Sequence, residues 1–90
     1  MHGYRSNKDD LLRRLKKIEG QIRGIQKMIE EDRYCVDILA QLAAVKAATN
    51  KVGLSLIDSH TRGCVANAIQ EGDGSKHIEE LLEVIRIFTK

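Results

Sequence analysis

Residues 34–67 read YCVDILAQLAAVKAATNKVGLSLIDSHTRGCVAN, a stretch without proline in which apolar side chains recur at helical spacing. Gly53 and Gly63 weaken it, yet no cluster of turn residues interrupts it. The stretch is therefore predicted to be one helix of over thirty residues, long for so small a chain. Neighbouring helices drawn from the remaining residues are too short to cover it, so an apolar stripe is left over that oligomerisation would bury. Its centre, Ala43-Ala44-Val45-Lys46-Ala47-Ala48-Thr49, is rich in small residues that would let two copies pack closely.

In front of this stretch, Leu11, Leu15, Ile18, Ile22, Ile25 and Ile29 alternate at spacings of four and three, the seam of an amphipathic helix. Ser6-Asn7-Lys8-Asp9 offers a capping residue with a carboxylate three positions on, which places the helix start near residue 7. Gly20 and Gly24 each cost about 1 kcal/mol relative to alanine inside a helix, a cost that close approach of another helix would explain. Glu30-Glu31-Asp32-Arg33 is a polar break. Gln70-Glu71-Gly72-Asp73-Gly74-Ser75 is the clearest loop, and Ile78, Leu81, Leu82, Ile85 and Phe88 then define a short third helix. The expected fold is all-α: a three-helix protomer with a long central helix, residues 1–90 forming a single domain.

Composition excludes several classes of function. The longest uninterrupted apolar run, Leu42 to Val45, falls far short of the roughly 20 residues of a membrane span. The first ten residues hold no apolar signal segment, so the chain is expected to be cytoplasmic, where two cysteines serve more often as thiols or metal ligands than as a disulfide. Tyr4, Tyr34 and Phe88 are the only aromatic residues, too few for a stacking surface that binds single strands. The net charge of +2 is unevenly spread: residues 1–27 hold eight Lys/Arg against three Asp/Glu, and the remainder seven against ten. That excess of +5 over residues 1–27 suits a polyanion.

Cys35, His60 and Cys64 share one stripe of the long helix, since at about 100° per residue His60 and Cys64 fall about 20° to either side of Cys35. Cys35 and His60 are nevertheless about 38 Å apart along a straight helix axis and cannot meet within one chain. An antiparallel pair of long helices, with a two-fold axis near Ala48 and Thr49, brings Cys35 level with position 62 of the partner, between the partner's His60 and the partner's Cys64. Each dimer then holds two sites of two thiolates and one imidazole, a soft donor set that suits three-coordinate Cu(I) better than structural zinc.

The segments Leu12-Arg13-Arg14-Leu15-Lys16-Lys17-Ile18-Glu19-Gly20-Gln21-Ile22-Arg23-Gly24 and Cys35-Val36-Asp37-Ile38-Leu39-Ala40-Gln41-Leu42-Ala43-Ala44-Val45, followed by His60 and Cys64, resemble the CsoR/RcnR family of bacterial metal-sensing repressors over essentially the whole chain. The Cys, His, Cys order matches the family's copper sensors. The resemblance implies a copper(I)-responsive transcriptional repressor with Cys35, His60 and Cys64 as ligands, one Cu(I) per chain shared between subunits, in an antiparallel homodimer assembled further as a dimer of dimers. It also implies Tyr34 and Glu80 as the groups that sense whether His60 is bound to metal. Double-stranded operator DNA would be held by Arg14 and Lys51, with Arg13 and Lys17 beside them. His2 stands close to where the family's nickel sensors place an extra nitrogen, which keeps a nickel- or cobalt-responsive repressor as the alternative. A metal-buffering or thiol-redox protein without a DNA partner is the other class. Enzyme chemistry and a small-molecule substrate are not expected, because the sequence has no catalytic triad order, phosphate-cradling glycine loop or paired catalytic carboxylates. His77 has no partner at ligand spacing and is expected to be exposed.

Overall fold

The computed structural model describes residues 7–90, and among them are three helices and no strand: α1 (Lys8–Glu30), α2 (Cys35–Glu71) and α3 (Ser75–Phe88). His2 and Ser6 lie outside the described residues. Asn7 holds the N-cap position of α1 without a side-chain cap bond, and Asp9 and Asp10 place negative charge in the first turn, where the helix dipole favours it. The break after α1 is sharp because Asp32 takes a left-handed conformation (φ 55°), which a short polar side chain tolerates. There Arg33 N–H donates to Met28 O (2.9 Å) and Asp32 N–H to Ile29 O (3.1 Å), satisfying carbonyls left over at the helix end.

The second loop is shorter than expected. Gln70 and Glu71 continue α2, Ser75 already belongs to α3, and only Gly72-Asp73-Gly74 turn the chain. Gly72 closes α2 with φ +80°, a conformation that glycine enters without a Cβ penalty, and its N–H donates to Ala68 O (2.9 Å). Asp73 accepts the Ser75 N–H (3.1 Å), and this bond holds its carboxyl below the usual range.

Cα packing divides the chain between Val52 and Gly53, inside α2. In the unit Asn7–Val52, Leu11, Ile18 and Val52 form a buried cluster with Val45 and Ala48 packed against it, and Ile25 is buried further along α1. Only alternate members of the α1 seam are covered: Leu11, Ile18 and Ile25 are at most 6% exposed, whereas Leu15, Ile22 and Ile29 are at least 44% exposed. A Cβ at Gly20 or Gly24 would meet nothing within 4 Å among the described residues, so the close helix approach expected there is not made within the unit Asn7–Val52. In the unit Gly53–Lys90, α3 runs back along the last part of α2 with His77, Leu81 and Val84 half-buried, while Ile78, Leu82 and Ile85 stay exposed. Gly53 is a point of close approach between the two helices: a Cβ there would fall within the ring of Phe88. No helix of the described residues is long and apolar enough to cross a membrane.

Candidate metal centre and nucleic-acid interface

Within Gly53–Lys90, the four-residue spacing of His60 and Cys64 puts both on the face of α2 that meets α3, one turn apart. Cys64 Sγ lies 3.3 Å from His60 Nε2, and Glu80 of α3 brings Oε1 to 3.4 Å from the same nitrogen. One donor atom from each residue falls within 4.8 Å of the others, a grouping able to hold a metal ion. The two neighbours ask different things of the ring. A proton on Nε2 is donated toward the Glu80 carboxylate, whereas a bare Nε2 accepts from the thiol. Burial pushes the Cys64 thiol up, and the nearby Glu80 charge adds to the effect. A metal must therefore displace a proton from Cys64 in order to bind its sulfur.

His60, Cys64 and Glu80 open onto a cavity of about 250 Å³ whose wall also includes Asn67, Lys76 and His77. The expectation of an exposed His77 is corrected here: its ring is 15% exposed and its Nε2 lies 3.0 Å from Glu71 Oε2. The partner is six residues earlier, across the glycine turn, where helical spacing rules do not look. Cys35 and Tyr34 are not members of the three-residue group. Cys35 is the exposed first residue of α2, and Tyr34 just before it is 69% exposed, its carbonyl accepting the Asp37 N–H (3.0 Å).

The unit Asn7–Val52 carries a groove of cations. Arg13, Arg14 and Lys17 of α1 and Lys51 of α2 line a single groove of about 490 Å³, floored in part by Ile18, Ala44, Ala47 and Ala48. Part of the small-residue run at the middle of α2 is thus used within the chain, against the basic segment of α1. Asp10 accepts from Arg14 Nε (2.9 Å) and from the Arg13 guanidinium, and these bonds, Arg13 first, hold its carboxyl below the usual range. Asp10 was not singled out in the sequence, although it stands three and four residues before the two arginines, the spacing at which helix ion pairs form.

The chain thus carries a Cys/His/carboxylate group in one unit and a cationic groove in the other, features that suit a metal-responsive nucleic-acid-binding protein. Residues 7–87 match the family model described as metal-sensitive transcriptional repressor, and the chain belongs to that family. It is 55% identical over 89 residues to the copper-sensing transcriptional repressor CsoR of Bacillus subtilis, covering 99% of this chain and 88% of that one. The Cu(I)-bound copper-sensing repressor CsoR of Geobacillus thermodenitrificans superposes with a TM-score of 0.86 at 48% identity, over 94% of this chain and 88% of that one. The nickel-responsive transcriptional regulator InrS superposes nearly as well, with a TM-score of 0.85 at 38% identity over 89% and 90% of the two chains. Sensors named for different metals share this fold, so the choice of metal rests on the donor atoms and not on the helices.

Proposed function

We propose that the chain is a copper(I)-responsive repressor that binds operator DNA when metal-free and releases it on binding Cu(I). The observation that carries this reading is the 3.3 Å approach of Cys64 Sγ to His60 Nε2, a preformed soft pair. Cys35 of a second copy supplies the remaining sulfur. Two thiolates and an imidazole fit Cu(I), which accepts low coordination and prefers sulfur. One ion per chain, shared between subunits, follows from an antiparallel dimer. The uncovered seam residues Leu15, Ile22 and Ile29 and the exposed Val36, Leu39 and Leu42 of α2 support burial against further copies, to a dimer of dimers. Residues 1–90 act in it as one sensing and DNA-binding domain, in the cytoplasm.

DNA is held by the groove of Arg13, Arg14, Lys17 and Lys51. No recognition helix of a known DNA-reading motif is needed for this, since cations on one surface suffice for phosphate contacts. Asp10 is the internal competitor: Arg13 and Arg14 exchange its carboxylate for phosphate oxygens when DNA arrives.

Coupling between the two surfaces runs through Glu80 and Tyr34. A histidine that gives one ring nitrogen to a metal keeps the other as an N–H donor, and acceptors nearby fix its orientation. Glu80 already stands beside His60 in the chain, so a change at the imidazole is felt directly by α3. Glu80→Ala is expected to blunt copper-driven DNA release, removing much of a coupling of about 1 to 3 kcal/mol, by more than it lowers copper affinity. Competition of Cu(I) chelators with the reduced variant, alongside DNA-binding curves with and without copper, checks the split.

A nickel- or cobalt-responsive repressor is the second reading, and one observation favours it. The in-chain group of His60, Cys64 and Glu80 offers nitrogen, sulfur and carboxylate oxygen, a harder set than the shared one.

A further inference from the structure

The unit Gly53–Lys90 fixes α3 against α2 at two separated points. One is the approach of Glu80 to His60 at 3.4 Å. The other is the ring of Phe88, the last residue of α3, which occupies the space where any side chain at position 53 would begin: Cε1 and Cζ lie 2.2 and 2.3 Å from the place a Cβ would take. The register is consistent. Seven residues separate Gly53 from His60, about 10.5 Å of helix rise, and eight separate Glu80 from Phe88, about 12 Å. Between them Leu81 and Val84 are half-buried in the same seam.

Three further features show what this second point does. The α3 helix has 14 residues, near the length at which an isolated helix is marginal in water, so its position is set by what it touches. Phe88 is 37% exposed, which limits what its burial adds to stability. Gly53 stands inside a helix of 37 residues, where alanine would be favoured, and the absent Cβ is what lets the ring lie on the backbone. The close seat is therefore kept at the expense of helix stability. Gly53 is also two residues along α2 from Lys51, a member of the cationic groove.

We infer that Phe88, seated on the bare backbone of Gly53, is a positioning residue that makes α3 respond as one body when His60 binds metal and carries that response to the stretch of α2 bearing Lys51. Glu80 senses the imidazole, α3 is the lever, and the Phe88–Gly53 seat is its far contact. Without the seat, α3 yields locally at Glu80 and the signal stops there. This inference rests on the copper-responsive reading above.

The test uses the reduced full chain, a duplex carrying the promoter of its own gene, and chelator-buffered Cu(I). Gly53→Ala fills the seat while improving helix propensity, and Phe88→Ala empties it. Both are expected to bind the duplex without metal as the unaltered chain does and to bind Cu(I) with unaltered affinity. Their copper-driven loss of DNA affinity should shrink by about tenfold, within the usual span of allosteric couplings, and Phe88→Leu should restore most of it. Full release in Gly53→Ala overturns the inference, and so does a loss of release matched by an equal loss of copper affinity, which marks a merely structural contact. If Phe88→Ala fails to fold, Gly53→Ala decides alone. Failure of the unaltered chain to release DNA with Cu(I) is a separate outcome that overturns the copper reading itself.

Discussion

Cys35→Ala is expected to abolish tight Cu(I) binding and, with it, copper-driven release of DNA. The residue is exposed at the first position of α2, so its loss leaves the buried cluster of Leu11, Ile18 and Val52 intact and the fold unaffected. The remaining donors are His60, Cys64 and the Glu80 carboxylate. Replacing a thiolate by a carboxylate or water exchanges a soft ligand for a hard one, which Cu(I) does not accept in kind. The affinity loss should exceed the roughly 10- to 100-fold that removal of an outer-shell partner costs at a metal site. Chelator competition on the reduced variant measures it. The same variant separates the readings: Cu(I) binding that survives removes Cys35 from the ligand set, and a Ni(II) response that persists through His60, Cys64 and Glu80 supports the nickel reading.

Arg14→Ala and Lys51→Ala are expected to weaken operator binding and to flatten its dependence on salt. Each phosphate contact contributes about 0.9 to the slope of log affinity against log salt, and every chain engaged on the DNA loses its own contact. Arg13 and Arg14 both bond Asp10 in the free chain, Arg14 through Nε at 2.9 Å. Asp10→Asn works in the opposite direction. It frees both guanidinium groups from an internal anion, and binding should tighten. Salt titrations of DNA binding for the three variants check the set, and unchanged affinity and slope in Arg14→Ala would remove the groove from the interface.

Much of the fold was legible in sequence because it is periodic. The proline-free run from Tyr34, the alternating seam from Leu11 to Ile29 and the glycine-rich turn before Ser75 each carry a local physical signal, and three helices follow from them. The spacing of His60 and Cys64 likewise placed them together, one helical turn apart. What spacing does not encode is contact across a turn. The His77–Glu71 pair, the approach of Glu80 to His60 and the seating of Phe88 on Gly53 all join α2 to α3 and depend on how α3 lies, which no local pattern states. Glu80 was reached through family resemblance, and its place beside His60 is a property of the fold. The seam of α1 shows a different limit: a heptad pattern marks both Leu11 and Leu15 as apolar positions, but which of them a single chain covers is decided by packing.

Metal at the thiolate and imidazole donors is proposed to lower affinity for DNA. Titration of the reduced chain, bound to its own promoter duplex, with buffered Cu(I) tests it most directly, with DNA release and metal binding followed in the same sample. Release is expected to complete at one equivalent of Cu(I) per chain. Saturation with Cu(I) while the duplex stays bound, or release by Ni(II) and not by Cu(I), would contradict it.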